Sequence, residues 1–226
     1  KNPTLYRFYL HYLGKQQGQF PQAGFYRFTP EDSYQSIATT MIDGATAYEK
    51  ITIPEGLSSW QIVNKLNRNK YLTGVIEHPP EEGSLFPDTY FFTPNDDRRE
   101  ILEKMYERGQ QKIEALLANY SYPYDFLPDR KSIVTLASII EKESGSVDER
   151  NKIAGVFINR LKRGMKLQSD PTVIYAASKG KGFLKHRIRK SELRAKHPMN
   201  TYHIAGLPPK PICNVGVKAI KAVLNP

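Results

Sequence analysis

The stretch KSIVTLASIIEKESG, residues 131–145, decides how the second half of the chain folds. Its apolar residues recur every three or four positions, which is typical of a helix that buries one face. On a helical wheel of about 100° per residue with Leu136 at zero, Ile139 lies at about −60° and Ile140 at about +40°. The spacing therefore predicts a helix from Lys131 to Ser144.

Two glutamates near the end of this helix fall on different faces. Glu143 lies at about −20°, within the apolar stripe, and Glu141 at about +140°. A carboxyl group at the end of a buried stripe is half desolvated and faces the negative end of its own helix, and both effects favour the protonated form. A general acid needs a proton near neutral pH, so Glu143 is a catalytic candidate. The alternative is that Glu143 is simply the last residue of the helix and either reaches into solvent or pairs with Arg150 or Lys152.

The rest of the chain predicts a mixed fold. Further helices are expected at 3–13, from Asp32 or Ser33 to Gly44, from Ser58 through Leu66, at 96–120, from Asp148 to Arg163, and from Asn214. Gly164 is the expected stop of the helix that ends at Arg163. Short strands are expected at 25–28, 51–53 and 202–204. Glycine and proline become frequent just after residue 78. We expect an α+β protein with a small α/β portion at 1–79 and a mostly helical portion at 80–226.

Composition bounds the function. The 226 residues include 33 Lys and Arg against 23 Asp and Glu, a formal net charge of +10, and 11% aromatic residues. Such a chain folds and favours an anionic partner. No apolar run approaches the roughly 18–20 residues of a membrane span. The single Cys213 excludes an internal disulfide, and neither a zinc spacing nor a glycine-rich phosphate loop occurs, so no metal or cofactor is expected.

Four blocks of sequence match a known family. They are SLFPDTYFF (84–92), LASIIEKESG (136–145), VFINRLKRGMKLQSDPTVIYA (156–176) and NTYHIAGLPPKPICNVG (200–216). Together they resemble the endolytic murein transglycosylase family, the YceG-like or MltG proteins. The segment ITIPEGLSSWQIVNKL (51–66) looks like that family's N-terminal portion, which includes a LysM-like module. The resemblance implies a LysM-like, glycan-binding portion at 1–79 and a YceG-like catalytic domain at 80–226, which we expect to be truncated at its C-terminus.

The resemblance also implies an activity. These enzymes cleave peptidoglycan glycan strands internally, between N-acetylmuramic acid and N-acetylglucosamine, and leave a 1,6-anhydro-muramoyl end, which would limit the length of nascent strands. The essential glutamate of the family maps onto Glu143. One carboxyl group suffices because the C6 hydroxyl of the muramic acid attacks C1, whereas glycoside hydrolases usually use two carboxyl groups. Asp88, Asp148 and Asp170 are the candidates for a second one.

A glycan groove is implied by the same resemblance. Its expected substrate-binding residues are Asp88, Tyr90, Asn159, Gln168, Asp170, Asn200 and Tyr202. From the residues alone, Asp170 could equally cap the helix that begins at Pro171, and Tyr202 also fits a structural corner.

Location and partners follow from the family. Its members carry one N-terminal membrane helix, so we expect a single-pass protein of the bacterial cytoplasmic membrane with its catalytic domain on the outer, periplasmic side. The anchor is absent from this chain, which we expect to be a soluble fragment. Peptidoglycan glycan strands are the expected partner, and peptidoglycan synthases are further candidates.

The segment 179–198 carries eight Lys and Arg against one acid, Glu192. It could bind anionic wall polymers, peptide-stem carboxylates or a membrane surface, or form a solvated flap. Two rival functions are a nucleic-acid-binding module and a non-catalytic wall-binding scaffold. Nucleic acid is not the expected partner, since Phe183 is the single aromatic residue of this segment and no binding motif occurs.

Overall fold

The structure is a computed structural model that describes residues 3–118, 120–122, 124–145 and 149–226. The chain divides into two compact units, Lys1–Ile51 with Phe91–Asp96, and Thr52–Tyr90 with Asp97–Pro226. The predicted boundary between residues 79 and 80 lies inside the second unit, because the helix after Ser58 packs there rather than with the N-terminal residues.

The described residues form nine helices and two strands. In chain order these are α1 (Pro3–Gln17), α2 (Tyr34–Ile42), β1 (Glu49–Thr52), α3 (Ser59–Asn67), β2 (Thr89–Phe92), α4 (Arg98–Leu117), α5 (Arg130–Glu143), α6 (Arg150–Lys162), α7 (Asp170–Ala177), α8 (Lys190–Leu193) and α9 (Val217–Leu224). β1 and β2 pair in a two-stranded sheet. This mixture confirms the predicted α+β class. None of the described helices has the length and hydrophobicity that crossing a bilayer requires.

Two helix starts predicted from capping serines are confirmed. The Ser58 hydroxyl accepts the Gln61 N–H at 3.2 Å, and the Gln61 side chain accepts the Ser58 N–H at 2.9 Å, a reciprocal cap at the start of α3. Ser33 caps α2 by accepting the Ser36 N–H at 3.0 Å. At the other end of a helix, α6 stops before Gly164, which adopts the left-handed φ of +64°.

Other predicted elements are wrong. Residues 25–28 are irregular and residues 202–204 lie in turns, so neither predicted strand is present there. The last helix begins at Val217 rather than at Asn214. The Asn214 side chain instead accepts the Leu85 N–H at 2.9 Å and donates to the Leu57 carbonyl at 3.1 Å, which joins distant loops. The predicted start of α6 at Asp148 lies outside the described residues.

The first unit contains α1 and α2, which pack against each other. The rings of Tyr6 and Tyr34 lie 5.5 Å apart, and Arg27 forms a 2.5 Å ion pair with Glu49. α1 continues past Gly14, where the sequence predicts its end. The LysM-like character of the N-terminal portion stays a prediction.

In the second unit, α5 is the central helix. It packs against α6, α7 and α9, and every residue from Ile133 to Glu141 is buried. Each fully buried isoleucine or leucine contributes about 1.5–3 kcal/mol relative to an exposed one. Neighbours therefore surround the middle of α5 on all sides, and the helix emerges from the core at its first and last turns.

A buried arginine joins α3 to α4. Arg98, 8% exposed, donates from its guanidinium to the backbone carbonyls of Leu66 at 2.9 Å, Gly74 at 2.6 Å and Asn69 at 2.7 Å. Carbonyls at the end of a helix have no partner within it, so the planar fork of donors satisfies those at the end of α3.

Candidate active site

Glu143 is the last residue of α5 and is exposed. The expectation of a half-desolvated carboxyl on a buried stripe is wrong, since Glu141 is the buried glutamate, at 8% exposure. The reason is the packing of α5. Where neighbours cover all sides of a helix, the face on which a side chain lies does not determine whether it is buried. Its exposure then depends on how close it is to the end of the packed part of the helix.

A buried serine holds the Glu143 carboxyl group. The Ser169 hydroxyl donates to Glu143 Oε1 at 2.6 Å, and Ser169 is only 1% exposed. Ser169 is the residue before α7, but its side chain makes no capping hydrogen bond, so its hydroxyl is available to the glutamate. Because a hydroxyl both donates and accepts, Ser169 can bond the carboxyl group in either protonation state.

Two buried threonines fix Ser169. Its N–H donates to Thr201 Oγ1 at 2.9 Å, and its carbonyl accepts the Thr172 hydroxyl at 2.7 Å. The two threonine oxygens lie 2.8 Å apart. The neighbouring Gln168 N–H donates to the Thr201 carbonyl at 3.1 Å, which holds Gln168 at φ +52°, a region that few non-glycine residues enter. Ser169 therefore presents its hydroxyl from a rigid loop.

A tyrosine and an aspartate follow, in sequence, the Thr201 and Ser169 that form the surroundings of Glu143. The Tyr202 hydroxyl donates to Asp170 Oδ1 at 2.6 Å. This hydrogen bond, followed by burial and the charges of Asp170 and Glu143, raises the pKa of Tyr202 to about 12, against the opposing charge of Arg160. Tyr202 thus keeps its proton at neutral pH. The alternative of Asp170 as a helix cap is wrong, because its carboxylate accepts the phenol and no side chain caps α7.

Arg160 on α6 holds the loop between α6 and α7 through a hydrogen bond. Its guanidinium donates to the Leu167 carbonyl, one residue before Gln168. The loop between α6 and α7 is therefore bonded both to α6 and to Thr201, and Glu143 meets a surface whose position is set by two elements.

Glu141, two residues before Glu143, has different surroundings. Its Oε1 lies 2.6 Å from the Arg150 guanidinium, and its Oε2 accepts the Gly216 N–H at 3.1 Å. The side chains of Glu141 and Arg150 are 3% and 11% exposed. Glu55 also reaches Arg150, at 3.4 Å, and its partial burial, then the charge of Glu141, raise the pKa of Glu55. The predicted alternative partner of Glu143, Arg150, thus belongs to Glu141.

Of the remaining predicted substrate-binding residues, two have side chains exposed to solvent, and three have side chains engaged by other residues of the protein. Asn159 and Gln168 are exposed. Asp88 forms a 2.7 Å ion pair with Arg108 on α4.

Tyr90 and Asn200 are engaged inside the protein. Tyr90 is 5% exposed and donates to the Phe86 carbonyl at 2.7 Å, and Asn200 is 1% exposed. The Asn200 amide donates to the carbonyls of Leu193 at 3.0 Å and Ala195 at 2.9 Å. Burial therefore places Tyr90 and Asn200 away from a surface that a glycan can contact.

Asp148, one of the candidates for a second carboxyl group, lies outside the described residues.

Ser169, Thr172 and Thr201 belong to the site but are absent from the set of substrate-binding residues expected from the sequence. A serine directly before Asp-Pro is an ordinary helix-start signal, and threonines near a turn carry no distinct pattern. Their role follows from the approach of residues 169 and 201 in space, which no local spacing shows. Within the described ranges, no three His, Cys, Asp or Glu side chains cluster closely enough to hold a metal ion.

Comparison with known proteins identifies the family. The profile of the YceG-like family matches residues 1–226. The chain belongs to the YceG-like family. A protein of Bacillus subtilis strain 168 named endolytic murein transglycosylase is 32% identical over 262 aligned positions, which cover 100% of this chain and 69% of that protein. A protein of the same name from Streptococcus pneumoniae R6 is 31% identical over 149 positions, 64% of this chain and 26% of the relative.

A solved structure shares the YceG-like fold. The crystal structure of a YceG-like protein from Listeria monocytogenes superposes with a TM-score of 0.65 at 30% sequence identity, and covers 100% of this chain and 82% of that one. The family predicted from the four sequence blocks is thus confirmed.

Proposed function

We propose that this YceG-like protein is an endolytic lytic transglycosylase of peptidoglycan and that Glu143 is its single acid and base. The observation that carries the proposal is the state of Glu143, an exposed carboxyl group held at 2.6 Å by the buried Ser169 hydroxyl and free of ion pairs with the described residues. The names of the B. subtilis and S. pneumoniae relatives support the substrate.

The reaction needs one carboxyl group. Protonated Glu143 donates its proton to the glycosidic oxygen as the bond from that oxygen to C1 of N-acetylmuramic acid breaks. The C6 hydroxyl of the same sugar attacks C1, and its proton passes to the Glu143 carboxylate. The products are a 1,6-anhydro-muramoyl end and a free hydroxyl on N-acetylglucosamine. No water is consumed, and Glu143 ends the cycle protonated.

Ser169 suits this cycle because the carboxyl group changes its charge twice. Its hydroxyl can accept a hydrogen bond from the acid and donate one to the carboxylate, so the group keeps its place through the reaction. Holding a catalytic group within about 3–3.5 Å of the reacting atoms is itself a large part of catalysis. The exposed Asn159 and Gln168, with the Asp170 and Tyr202 pair, are the proposed glycan contacts.

A two-carboxylate hydrolase is the second candidate. Asp170 directly follows Ser169, whose hydroxyl donates to Glu143, so a second carboxylate lies one residue from the group that contacts the proposed acid. In the hydrolase, Asp170 would activate water or attack C1, and the product would be a reducing sugar end. We favour the transglycosylase because Asp170 already accepts the Tyr202 hydroxyl at 2.6 Å.

Cell location and partners belong to the same proposal. Peptidoglycan lies outside the bacterial cytoplasmic membrane, so we place this catalytic portion there, held to the membrane by an N-terminal anchor. The glycan-binding role of residues 1–79, the limitation of nascent strand length and an association with peptidoglycan synthases are further parts of the proposal.

Analysis of cleavage products tests the function. Uncrosslinked glycan strands are incubated with the wild type, with Glu143→Gln and with Glu114→Gln, an exposed glutamate on α4 that serves as the control. The wild type and the control are expected to release anhydro-ended fragments. Glu143→Gln should lose at least about 100-fold in rate, the lower range of general acid–base catalysis, at an unchanged unfolding temperature. Equal release by Glu143→Gln, or strand binding without release by the wild type, would overturn the proposal.

A further inference from the structure

A large groove lies at the opposite end of α5 from Glu143. Its volume is about 1010 Å³, and it is lined by the first turn of α5, the end of α7, the loop at 79–84 and the turn at 209–211. Glu143, Ser169 and Tyr202 do not line it. The proposed reaction therefore leaves this groove without a role.

Four cations line the groove, Arg130, Lys131, Lys179 and Lys210, and among the described residues none of them has an ion-pair partner within 4 Å. The charge of Lys210 opposes the rise in the pKa of Glu82, so this lysine already acts on a carboxylate of the groove. Lys131, Lys179 and Lys210 are exposed. Unpaired cations around a cavity favour an anionic ligand, and carboxylates give the strongest hydrogen bonds to them.

The acidic residues of the groove are Glu81, Glu82 and Asp129. Glu82 accepts the Ser59 N–H at 2.7 Å and the Tyr175 hydroxyl at 3.0 Å, and Asp129 accepts the Ser132 N–H at 2.7 Å. These two carboxylates are thus occupied by neutral donors of the protein. Glu81 is exposed and could meet an amine on the same ligand.

Flat apolar surfaces form the walls. Trp60 and Tyr175 line the groove together with prolines at 79, 80, 209 and 211. Lys210 Nζ lies 5.6 Å from the centre of the Tyr175 ring, and Lys181 Nζ lies 5.4 Å from the Trp60 ring. Apolar walls with a rim of cations suit a peptide that carries carboxylates better than a neutral sugar, which needs facing amides and hydroxyls.

A second cavity has one lining residue in common with the groove. A smaller cavity of about 310 Å³ shares Tyr175 with the groove and is also lined by Lys142 and Pro171, the neighbours of Glu143 and Asp170 in sequence. Along α7, Ser169 and Tyr175 are about 9 Å apart, and along α5, Glu143 and Lys131 are about 18 Å apart. An extended peptide advances about 3.3–3.6 Å per residue, so about three to five residues cover this range.

We propose that this groove binds the carboxylate-bearing peptide attached to the muramic acid while the glycan lies at Glu143. The inference rests on the proposed function, since it names a further part of the same substrate. It assigns Lys131 and Lys179 to recognition of the peptide stem.

Two substrates and two charge-reversal variants test the inference. The rate constant kcat/KM is measured on stem-bearing strands and on strands stripped of peptide by an amidase, for the wild type, for Lys131→Glu with Lys179→Glu, and for the control Lys104→Glu with Lys112→Glu on α4. A charge-assisted hydrogen bond is worth about 1.5–3 kcal/mol, so the ratio of the two constants should be about tenfold or more in the wild type. It should fall toward one in the groove variant and stay high in the control.

A wild-type ratio near one, or a groove variant that keeps the wild-type ratio, would overturn the inference. If the wild type releases no fragments from either substrate, the proposed function has failed, and a binding measurement decides the groove separately. The free stem peptide should then bind the wild type at least about tenfold more tightly than either the groove variant or the same peptide with amidated carboxylates. Equal or absent binding would reject the peptide site.

Discussion

Glu141 and Glu143 lie two residues apart on α5, yet their surroundings share almost nothing. Glu141 is buried, pairs with Arg150 at 2.6 Å and accepts the Gly216 N–H at 3.1 Å. Glu143 is exposed and meets a neutral hydroxyl, that of Ser169. Both oxygens of Glu141 are occupied by the protein, whereas Glu143 keeps an open side toward solvent.

The comparison separates two uses of one side chain. A buried carboxylate with a full set of charged and backbone partners holds elements together, here α5, α6 and the start of α9, and has nothing left for a substrate. An exposed carboxyl oriented by a hydroxyl can change its protonation state without leaving a buried charge unpaired. In this helix the buried Glu141 therefore has a structural role, and the exposed Glu143 is the glutamate available for the proposed reaction.

The largest effect expected from breaking this comparison is a loss of stability at Glu141. Glu141→Ala leaves the Arg150 guanidinium, 11% exposed, without its main partner. Removal of one member of a buried ion pair costs about 3–5 kcal/mol, which we expect as the fall in the free energy of unfolding in urea. Lys142→Ala, at the exposed neighbouring position, is the control. A loss below about 1 kcal/mol would show that the pair contributes no more than a surface one.

The next effect concerns the serine that positions Glu143. Ser169→Ala removes a hydrogen bond to a carboxyl group, worth about 1.5–3 kcal/mol, so kcat should fall about 10–100-fold with a smaller change in KM. Ser132→Ala, at the other end of α5, removes a capping hydroxyl and should lower the unfolding temperature while kcat holds. An unchanged kcat in Ser169→Ala would show that the geometry of Glu143 does not depend on this hydroxyl.

A smaller effect is expected at Tyr202. Tyr202→Phe removes the phenol that donates to Asp170 at 2.6 Å, but the pair is open to solvent, which weakens it. KM on glycan strands should rise up to about fivefold, with kcat nearly constant. Steady-state kinetics check this, and a kcat loss as large as that of Glu143→Gln would move Tyr202 into the chemical step.

The smallest effect is a pH dependence of stability from the groove. Burial, the largest cause, raises the pKa of Glu82 from its ordinary value of 4.5, although hydrogen bonds from Ser59 and Tyr175 oppose it. Below pH 4.5 the group is protonated in both states. As pH rises above 4.5 the unfolded chain ionises first, so the free energy of unfolding falls until the folded group also ionises.

Comparison with Glu82→Gln isolates this contribution. The free energy of unfolding of the wild type, minus that of the variant, should decrease as pH rises from below 4.5 toward neutral. A difference that grows over the same range would mean that the carboxylate is stabilised in the folded protein.

The sequence predicts elements that depend on local patterns and misses those that depend on packing. The period of residues 131–145 and the capping serines Ser33 and Ser58 identify their helices, because spacing and caps act within a few residues. Asn214 has the composition of a cap, yet its bonds to residues 57 and 85 keep it out of α9.

At the candidate site, the residue type does not predict whether a side chain is buried or exposed. The helical wheel predicts a buried position for Glu143, whereas its side chain is exposed. The partners of that residue come from loops at 169 and 201, which meet only in the folded chain. Asn200 and Tyr202 are two residues apart in the same block, and only tertiary contacts show that the first is buried and that the second donates to Asp170.

Digestion in water enriched in heavy oxygen tests most directly whether Glu143 works alone. Glycan strands are cleaved by the wild type in this water, and the new sugar ends are analysed by mass spectrometry. Intramolecular attack by the C6 hydroxyl predicts anhydro ends without the heavy isotope. Reducing ends that carry one heavy oxygen, formed by the wild type and lost in Asp170→Asn, would contradict the single-carboxyl account and establish hydrolysis by a pair.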